Sequence, residues 1–383
     1  MSIIINKPAE QRTEEPVVSA FLHSRARAGG VPLSGTFELT SRCNFSCPMC
    51  YVHDEQANCT ATKELPGSWW IKTAAAAVEQ GMLFLLLTGG EPFLHKDFES
   101  IYKELKKLGL IVSINTNGYY LPDRIIELFK KEPPNRVNVS LYGTDNDVYE
   151  RFTGVRGFER VTENISLLRS LGIDVRLNCS ITKDNFLYAD AINRYADENG
   201  LFLKMTPYMY PRIRTDGVFG ENSKRLSPED ASRCRVNMLK YKKTDSQFIR
   251  YAEALKNGSL TNESDCFTED EMQKVRCRAG FSSFWINSEG KMSMCGIVDK
   301  DFDVEQMGFS AAWENVKKHT LQIRLPEKCV NCPYRCICNV CAAVCYTESG
   351  DFSRVPDYVC KFSEISYSLI LDEAERLRQK NGN

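Results

Sequence analysis

Long hydrophobic runs and net charge are both missing from this 383-residue sequence. The uninterrupted apolar run of residues 82–87 is short, whereas a membrane-spanning helix needs roughly 20 apolar residues. The first residues, MSIIINKPAEQR, contain no apolar signal-peptide core. Lys and Arg number 49 against 50 Asp and Glu, so the net charge is −1 and no basic field attracts phosphate backbones or anionic lipid. We therefore expect a cytoplasmic protein that binds neither nucleic acid nor a membrane.

Cysteine, by contrast, is abundant, with 16 residues in the chain. A reducing cytosol keeps thiols free, so clustered cysteines there are more often metal ligands or nucleophiles than disulfides. One group of three lies at Cys43, Cys47 and Cys50, and a second group of nine lies between residues 277 and 360. The two groups predict two modules with different metal chemistry. The other four cysteines are interpreted as small buried hydrophobes or inert surface thiols: Cys59, Cys179, Cys234 and Cys266.

Between the two groups, short apolar runs alternate with amphipathic stretches of helical length. The predicted strands are 36–40, 83–88, 110–115, 136–141, 175–181 and 201–205. The predicted helices are 68–80, 97–108, 122–130, 159–171 and 185–199. Such units, with nearly continuous apolar strands, indicate an α/β fold with a helix-covered parallel sheet, either open and doubly wound or closed into a barrel. In both architectures the chemistry is expected at the C-terminal ends of the strands.

The first cysteine group has the spacing CxxxCxxC and directly follows the first predicted strand. Three thiolates in one short loop can hold three corners of a cubane iron–sulfur cluster and leave the fourth iron open. A structural zinc site has four closed ligands instead. Spacing alone leaves zinc as the alternative, with His53 or Cys59 completing the site.

A glycine pair and a carboxylate end the second predicted strand, in the sequence Gly89-Gly90-Glu91-Pro92. Glycines let a ligand approach the backbone closely, and a carboxylate accepts hydrogen bonds from an ammonium group. Alone, this tetrapeptide is also compatible with an ordinary turn. Its combination with the CxxxCxxC loop is specific.

Together the two motifs resemble the radical S-adenosylmethionine (SAM) superfamily. The resemblance covers roughly residues 35–207 and implies a partial (β/α)6 TIM-like barrel. It implies that Cys43, Cys47 and Cys50 bind a 4Fe-4S cluster, whose open iron chelates the amino and carboxylate groups of SAM. The GGEP motif would contact the methionine amino group. The implied activity is reductive cleavage of SAM to a 5′-deoxyadenosyl radical, which abstracts hydrogen from a substrate.

The same resemblance implies further SAM contacts from polar residues at strand ends, namely Asn115, Asn117, Ser140 and Asn178. Asparagine and serine are also ordinary turn formers at such positions. An arginine after the fourth strand often contacts the SAM carboxylate in this superfamily, and both Arg151 and Arg156 fit that place. No catalytic acid or base is predicted.

The second cysteine group begins with the pattern Cx12Gx4C, in which residues 288–290 supply the turn of a hairpin. The whole group resembles the SPASM domain, a C-terminal extension of many radical SAM proteins that generally binds two auxiliary 4Fe-4S clusters. The resemblance implies two ligand sets. They are Cys277, Cys295, Cys341 and Cys345 for the first auxiliary cluster, and Cys329, Cys332, Cys338 and Cys360 for the second.

This assignment leaves Cys336 without a ligand role and departs from the SPASM pattern at one point. The pattern has three residues after the Cys338 position, whereas here Cys341 follows after two. If only one of Cys341 and Cys345 is a ligand, the first auxiliary cluster has an open iron for substrate. Two closed clusters would favour electron transfer. A zinc-binding treble-clef or ribbon module is the alternative.

The predicted domains are an N-terminal extension (1–35), the radical SAM barrel (36–210), a helical connector (211–275), the SPASM domain (276–362) and a C-terminal helix (363–383). Just after the sixth strand, Tyr208, Tyr210, Arg212 and Arg214 either line a substrate cleft or belong to a Pro-rich linker.

SPASM-bearing relatives mostly modify ribosomally made peptides, so the resemblance implies a peptide that undergoes crosslinking or other oxidative modification. Maturation of a porphyrin or other small molecule is the alternative. A non-catalytic metal-stabilised binding or electron-transfer protein is an alternative of another class. About 35 residues precede the first strand, so we expect no N-terminal leader-recognition domain, and a separate protein is one way to deliver the peptide. The expected reductant is of the flavodoxin or ferredoxin type.

Overall fold

The structure, a computed structural model, describes residues 17–52, 64–259, 273–338 and 340–381. The chain forms two compact units. The first, called the sheet unit below, contains the residues up to 179 together with 191–205 and 278–320. The second, called the cysteine unit, contains 180–190, 206–277 and the residues from 321 onward. Within the described segments, no helix is long and apolar enough to cross a membrane.

A nine-stranded sheet organises the sheet unit, with the strand order β6-β5-β4-β3-β2-β1-β7-β8-β9. The strands are β1 Ser34–Glu38, β2 Phe84–Thr88, β3 Ile111–Thr116, β4 Arg136–Ser140, β5 Val175–Ser180, β6 Phe202–Thr206, β7 Ser283–Ile286, β8 Lys291–Ser293 and β9 Asp301–Asp303. Strands β1 to β5 pair in parallel, and β7 pairs in parallel with the other side of β1. Strands β8 and β9 are antiparallel.

Helices connect the parallel strands and continue into the cysteine unit. Their bounds are α1 Val17–Gly29, α2 Gly67–Glu79, α3 Phe98–Lys107, α4 Asp123–Lys131, α5 Asn146–Thr153, α6 Phe158–Ser170, α7 Ala189–Glu198, α8 Ile213–Asp216, α9 Pro228–Tyr241, α10 Asp245–Lys256, α11 Val304–Gln322, α12 Ala342–Ser349 and α13 Asp357–Asn381. The backbone of α11 is interrupted at Gly308. The α/β fold class with a mostly parallel sheet is confirmed.

Apolar periodicity explains why these segments fold as predicted. In α3 the side chains of Phe98, Ile101, Tyr102 and Leu105 follow the three- and four-residue spacing of a helix face, and each is at most 1% exposed. Strands in the middle of a parallel sheet are covered on both faces, so their sequences are apolar almost throughout. Because the strands run in parallel, the loops after β1 to β5 leave from one edge of the sheet.

The hairpin predicted from the Cx12Gx4C pattern is present as β7 and β8. Its turn closes where the Gly290 N–H donates to the Asn287 carbonyl at 3.0 Å, with Gly290 at a φ of 80° that favours glycine. Strand β7 pairs with β1 and so extends the barrel sheet. Residues 278–320 therefore belong to the sheet unit. The predicted SPASM domain, residues 276–362, grouped them with the cysteine-rich C-terminal residues instead.

Helices α9, α10 and α13 pack around a common core in the cysteine unit. The buried residues of that core are Val236, Phe248, Ala252, Leu255, Ile337, Ile370, Ala374 and Leu377. Ser227 caps α9, and a capping box between Thr244 and Gln247 starts α10. The stretch predicted as a connector thus supplies two helices of this core, and the C-terminal helix begins at Asp357 rather than at 363.

Candidate active site and auxiliary metal centre

The first cysteine group lies in the loop that leaves the carboxyl end of β1. Phe45 anchors this loop, since its side chain is only 2% exposed and its ring packs edge-on against Tyr119. The three thiols of Cys43, Cys47 and Cys50 are half-buried around this anchor. A short loop with one buried aromatic therefore brings three possible ligands together at the sheet edge.

Burial makes the thiolate forms of these cysteines unfavourable without a positive partner. Burial raises the pKa of Cys43 to about 12. A hydrogen bond from the Phe45 N–H to the Cys43 sulfur, at 3.4 Å, lowers this pKa and only partly offsets the effect of burial. Burial also raises the pKa of Cys47, and the nearby Cys50 and Cys43 thiols add to that rise. A cationic iron–sulfur core would supply the missing positive charge, so this donor set fits such a group.

In the described parts of the chain, no three Cys, His, Asp or Glu side chains come close enough to hold one metal ion. Four sulfur ligands of a single zinc, each at about 2.3 Å, are roughly 3.8 Å apart. A 4Fe-4S cluster takes one thiolate per iron, so its ligands are farther from one another. His53 and Cys59, which the zinc alternative required, lie outside the described residues.

The glycine pair after β2 packs directly on the backbone that leads into the cysteine loop. The Gly90 N–H donates to the Thr40 carbonyl and the Glu91 N–H to the Arg42 carbonyl, both at 2.8 Å. A Cβ on Gly89 would lie 2.4 Å from the Thr40 oxygen, and one on Gly90 would lie 2.3 Å from the Arg42 oxygen. Only glycine fits at either position, so the two motifs form one rigid substructure.

The carboxylate of Glu91 is fully buried and is bound by the protein itself. Thr116 Oγ1 donates to both carboxylate oxygens at 2.9 Å, the Asn117 N–H donates at 2.8 Å and the Phe93 N–H at 3.2 Å. Burial raises the pKa of Glu91 to about 7, opposed by these hydrogen bonds. The side chain thus ties the β2 loop to the end of β3.

Asn117 links the end of β3 to the cysteine loop. Its Nδ2 donates to Asn44 Oδ1 at 2.8 Å and lies 3.7 Å from Cys43 Sγ. Its Oδ1 accepts a hydrogen bond from the Tyr119 N–H at 2.9 Å. Asn44 Nδ2 is buried and has no hydrogen-bond partner among the described residues. An amide donor without a partner therefore lies beside the three thiols.

The other polar residues of the predicted SAM contacts follow the sheet register. Asn115 Oδ1 accepts a hydrogen bond from Asn138 Nδ2 at 2.8 Å, across the β3–β4 pair. Ser140 lies opposite Asn178 across the β4–β5 pair. These side chains thus occupy neighbouring strands near their carboxyl ends, in the order that the resemblance required.

Both arginines proposed for the SAM carboxylate are exposed on or just after α5. Arg156 is paired with two carboxylates, at 2.7 Å from Asp147 and 3.1 Å from Glu150. The choice between Arg151 and Arg156 therefore stays a prediction.

Sequence reasoning missed Glu38, a fully buried acid within β1. Trp285 of β7 donates its indole N–H to Glu38 Oε1 at 2.7 Å, which ties the hairpin to the strand before the cysteine loop. The available signal was an acidic residue inside an apolar strand, since buried charges are normally paired. Arg42 was also missed: it binds both oxygens of Glu64, at 2.9 and 3.1 Å, and so fixes the residue before Cys43.

Four cysteines of the second group line one cavity of about 340 Å³ in the cysteine unit, and they are Cys329, Cys332, Cys338 and Cys360. Burial raises the pKa of Cys360 to about 11, with further contributions from the other three thiols. These four residues are the set that the sequence assigned to the second auxiliary cluster, and the cavity brings them together. Four thiols around one space fit a 4Fe-4S cluster.

The remaining cysteines of the group are distributed differently. Cys341 and Cys277 lie close enough for their charges to interact, and Cys345 is buried within α12. Cys295 belongs to the sheet unit. Cys336 packs against the helical core of α9, α10 and α13 instead of lining the cavity.

Two residues of the aromatic and basic segment after β6, Tyr208 and Arg212, make polar contacts inside the cysteine unit. Tyr208 donates its hydroxyl to Glu348 Oε1 at 2.6 Å, and Arg225 binds the same oxygen at 2.5 Å. Arg212 lies 3.3 Å from Asp216 in a helical ion pair. Tyr208 and Arg212 are thus structural contacts, which favours the linker interpretation for these two residues.

Comparison with known proteins identifies a radical SAM domain in this chain. Residues 37–186 match the model of the radical SAM superfamily. The AdoMet-dependent heme synthase of Methanosarcina barkeri is 26% identical over 84% of this chain and 94% of its own length. The antilisterial bacteriocin subtilosin biosynthesis protein AlbA of Bacillus subtilis is 24% identical over 81% of this chain and 67% of its own length.

Among solved structures, Streptococcus suis SuiB covers 90% of this chain and 81% of its own at 19% identity, with a TM-score of 0.65. SuiB has also been solved with S-adenosylmethionine and with the precursor peptide SuiA. This likeness extends the shared fold beyond the barrel into the cysteine-rich region. Residues 37–186 thus form a radical SAM domain, so the chain is an enzyme of the radical SAM type, whose family uses S-adenosylmethionine and a 4Fe-4S cluster, and its homologues of the SPASM type carry auxiliary iron–sulfur clusters.

Proposed function

We propose that this enzyme abstracts hydrogen from a ribosomally made peptide and thereby introduces a crosslink or another oxidative modification. The observation that carries the proposal is the cavity lined by four cysteines in the cysteine unit. A complete four-thiol site there, beside further cysteines for a second site, corresponds to the full SPASM complement that is typical of peptide-modifying relatives. Similarity to AlbA and to SuiB, which binds the precursor peptide SuiA, supports the same substrate class.

At the sheet edge, we propose that Cys43, Cys47 and Cys50 hold the cluster that reduces SAM. The backbone N–H groups of Gly90 and Glu91 donate to the residues that lead into this loop, at Thr40 and Arg42, which supports a SAM-binding role for the GGEP motif beside the cluster. When bound, the reduced cluster supplies the electron that cleaves SAM. The further contacts are proposed for Glu91 and Pro92 through the motif backbone, and for the strand-end residues Asn115, Asn117, Ser140 and Asn178, with Arg151 at the SAM carboxylate.

For the auxiliary clusters, we propose the two ligand sets implied by the SPASM resemblance. Cys329, Cys332, Cys338 and Cys360 hold one cluster, supported by their shared cavity. Cys277, Cys295, Cys341 and Cys345 hold the other. Replacing all four cavity cysteines with alanine should remove about a third of the iron and acid-labile sulfide, while SAM cleavage persists.

The test of the peptide substrate is co-expression with each small open reading frame next to the gene, followed by mass spectrometry of the peptide. A crosslinked product lacks two hydrogen atoms relative to the precursor. The same peptide co-expressed with a Cys43→Ala variant must keep its full mass. If every neighbouring peptide keeps its mass while the enzyme cleaves SAM, the peptide proposal fails.

A porphyrin is the second candidate substrate. The similarity to the Methanosarcina barkeri heme synthase, of whose length 94% is matched, favours it. Incubation with a propionate-bearing iron porphyrin under reducing conditions distinguishes the two. Oxidative loss of carbon dioxide from the side chains would support the porphyrin. We expect an unchanged porphyrin.

We further propose a flavodoxin- or ferredoxin-type reductant and a separate leader-recognition protein as partners. Pull-down of the peptide with and without a co-encoded small protein tests the second partner. A peptide that binds equally well alone would argue against it.

A further inference from the structure

The cavity of the cysteine unit contains buried hydrogen-bond donors that the protein does not use. Arg335 lies in the chain between Cys332 and Cys338, and its backbone is fixed there because its N–H donates to the Cys332 carbonyl at 3.0 Å. Arg335 lines the cavity, and its Nε and Nη1 atoms are buried without a hydrogen-bond partner among the described residues. Burying guanidinium donors without a hydrogen-bond partner is energetically unfavourable. We therefore expect this site to bind an anionic partner.

A second donor reaches the same cavity from another element. Ser363 of α13 is 1% exposed, lines the cavity and has no hydrogen-bond partner for its hydroxyl within the described residues. Two segments that line the cavity with the four cysteines therefore each carry an unsatisfied buried donor. Native proteins rarely leave such groups unpaired, so each one calls for an unseen acceptor.

The charged residues that line the cavity also favour an anionic group inside it. Arg335 lies close enough to Cys329 for their charges to interact. The acid of the lining, Glu364, hydrogen-bonds to Tyr334. Within the lining, the two cations Lys328 and Arg335 thus stand against one acid, a balance that favours an anionic group in the cavity.

We propose that Arg335 and Ser363 donate hydrogen bonds to the sulfur atoms of the auxiliary cluster held by Cys329, Cys332, Cys338 and Cys360, and thereby raise its reduction potential. The inference rests on the proposed ligand set. Four thiolates outweigh the positive charge of the cluster core, and reduction adds one more electron. Hydrogen bonds and positive charge next to the sulfurs stabilise the reduced form more than the oxidised form.

The test is an anaerobic redox titration of the reconstituted full-length protein, followed by electron paramagnetic resonance. A Cys43→Ala, Cys47→Ala, Cys50→Ala background removes the signal of the SAM-binding cluster. In that background, Arg335→Gln and Ser363→Ala should each shift one auxiliary signal to lower potential. For Arg335→Gln we expect about a tenfold fall in the reduced-to-oxidised ratio at a fixed potential, or about 59 mV for a one-electron couple. Arg335→Lys should recover part of the shift.

Lys328 provides the matched control, since it also lines the cavity but is exposed to solvent. Lys328→Met removes the same unit of charge where water screens it, so the potential should stay within a small fraction of the Arg335→Gln shift. Unchanged potentials in both Arg335→Gln and Ser363→Ala, with unchanged iron and sulfide, overturn the proposal. Failure of the ligand set itself is recognised separately, because Cys360→Ala would then leave the iron content at the wild-type value.

Discussion

The buried ion pair between Arg225 and Glu348 allows the sharpest stability prediction. The two side chains are 11% and 6% exposed, and Arg225 Nη1 lies 2.5 Å from Glu348 Oε1. Arg225 also donates to the Gly220 carbonyl at 2.8 Å and stacks over the Tyr358 ring at 3.9 Å. Arg225→Met removes all three contacts and leaves a buried carboxylate with Tyr208 as its remaining donor. We expect a loss of about 3–5 kcal/mol near pH 8, because removing one partner strands the other charge.

The loss should shrink as the pH falls. Burial raises the pKa of Glu348, and Arg225 opposes that rise, so the variant raises the pKa further. A carboxyl group whose pKa is higher in the folded than in the unfolded protein stabilises the fold fully when the pH is below its unfolded pKa. This contribution to the free energy of unfolding is lost as the pH rises toward the folded pKa. The deficit of Arg225→Met should therefore grow between about pH 5 and pH 8, by at most about 1.4 kcal/mol per pH unit.

Thermal unfolding of the anaerobic protein, followed by circular dichroism across this pH range, measures the effect. A loss of 3–5 kcal/mol lowers the Tm by on the order of 10 °C. The matched control is Lys130→Met, which removes an ion pair of 2.6 Å whose side chains are 49% and 59% exposed. That change should cost less than about 1 kcal/mol at every pH. Equal deficits for the two variants, or a deficit for Arg225→Met that does not vary with pH, would refute the reasoning.

Three further predictions concern the sites. Gly90→Ala should abolish SAM cleavage and lower the iron content, because its Cβ would lie 2.3 Å from the Arg42 carbonyl oxygen; iron analysis and 5′-deoxyadenosine formation check this. Trp285→Phe should lower stability by about 1.5–3 kcal/mol, since it removes a hydrogen bond to the buried Glu38 carboxylate; thermal unfolding measures it. Cys336→Ser should keep the full iron content, because this side chain packs on the helical core.

The first and the third of these have a control in the same chain. Gly29→Ala places a Cβ 3.5 Å from Val31, an ordinary contact, so it should leave iron and SAM cleavage unchanged. Cys360→Ser is the counterpart of the Cys336 variant, and it should lose cluster iron. Retained SAM cleavage in Gly90→Ala, or iron loss in Cys336→Ser equal to that in Cys360→Ser, would contradict the assignments.

Local patterns were sufficient to predict the parallel sheet and its covering helices, because burial on a helix face or in a parallel strand leaves a periodic signal in the sequence. The hairpin at Gly290 was predictable for the same reason, since a turn is a local property. The pairing of that hairpin with β1 was not, because it joins residues almost 250 positions apart: Trp285 and Glu38. Spacing along the chain carries no signal for such a contact.

The candidate site shows the same division. The CxxxCxxC and GGEP motifs could be recognised in the sequence. The backbone hydrogen bond between Glu91 and Arg42, which joins the two motifs, is visible only in the structure. The sequence suggested that the Glu91 carboxylate is free to bind an ammonium group, whereas the fold uses it to join β2 and β3. In the cysteine unit, the unpaired donors of Arg335 and Ser363 are likewise invisible in the sequence, because a missing partner is a property of the folded surroundings.

The central claim is that the loop with Cys43, Cys47 and Cys50 holds the cluster that cleaves SAM. The most direct measurement is anaerobic incubation of the reconstituted protein with SAM and dithionite, with 5′-deoxyadenosine quantified by chromatography. We predict 5′-deoxyadenosine from the wild-type protein and none from Cys43→Ala, which should still contain the iron of the auxiliary clusters. Equal 5′-deoxyadenosine formation by the Cys43→Ala variant, or a wild-type protein that contains zinc and cleaves no SAM, would contradict the account.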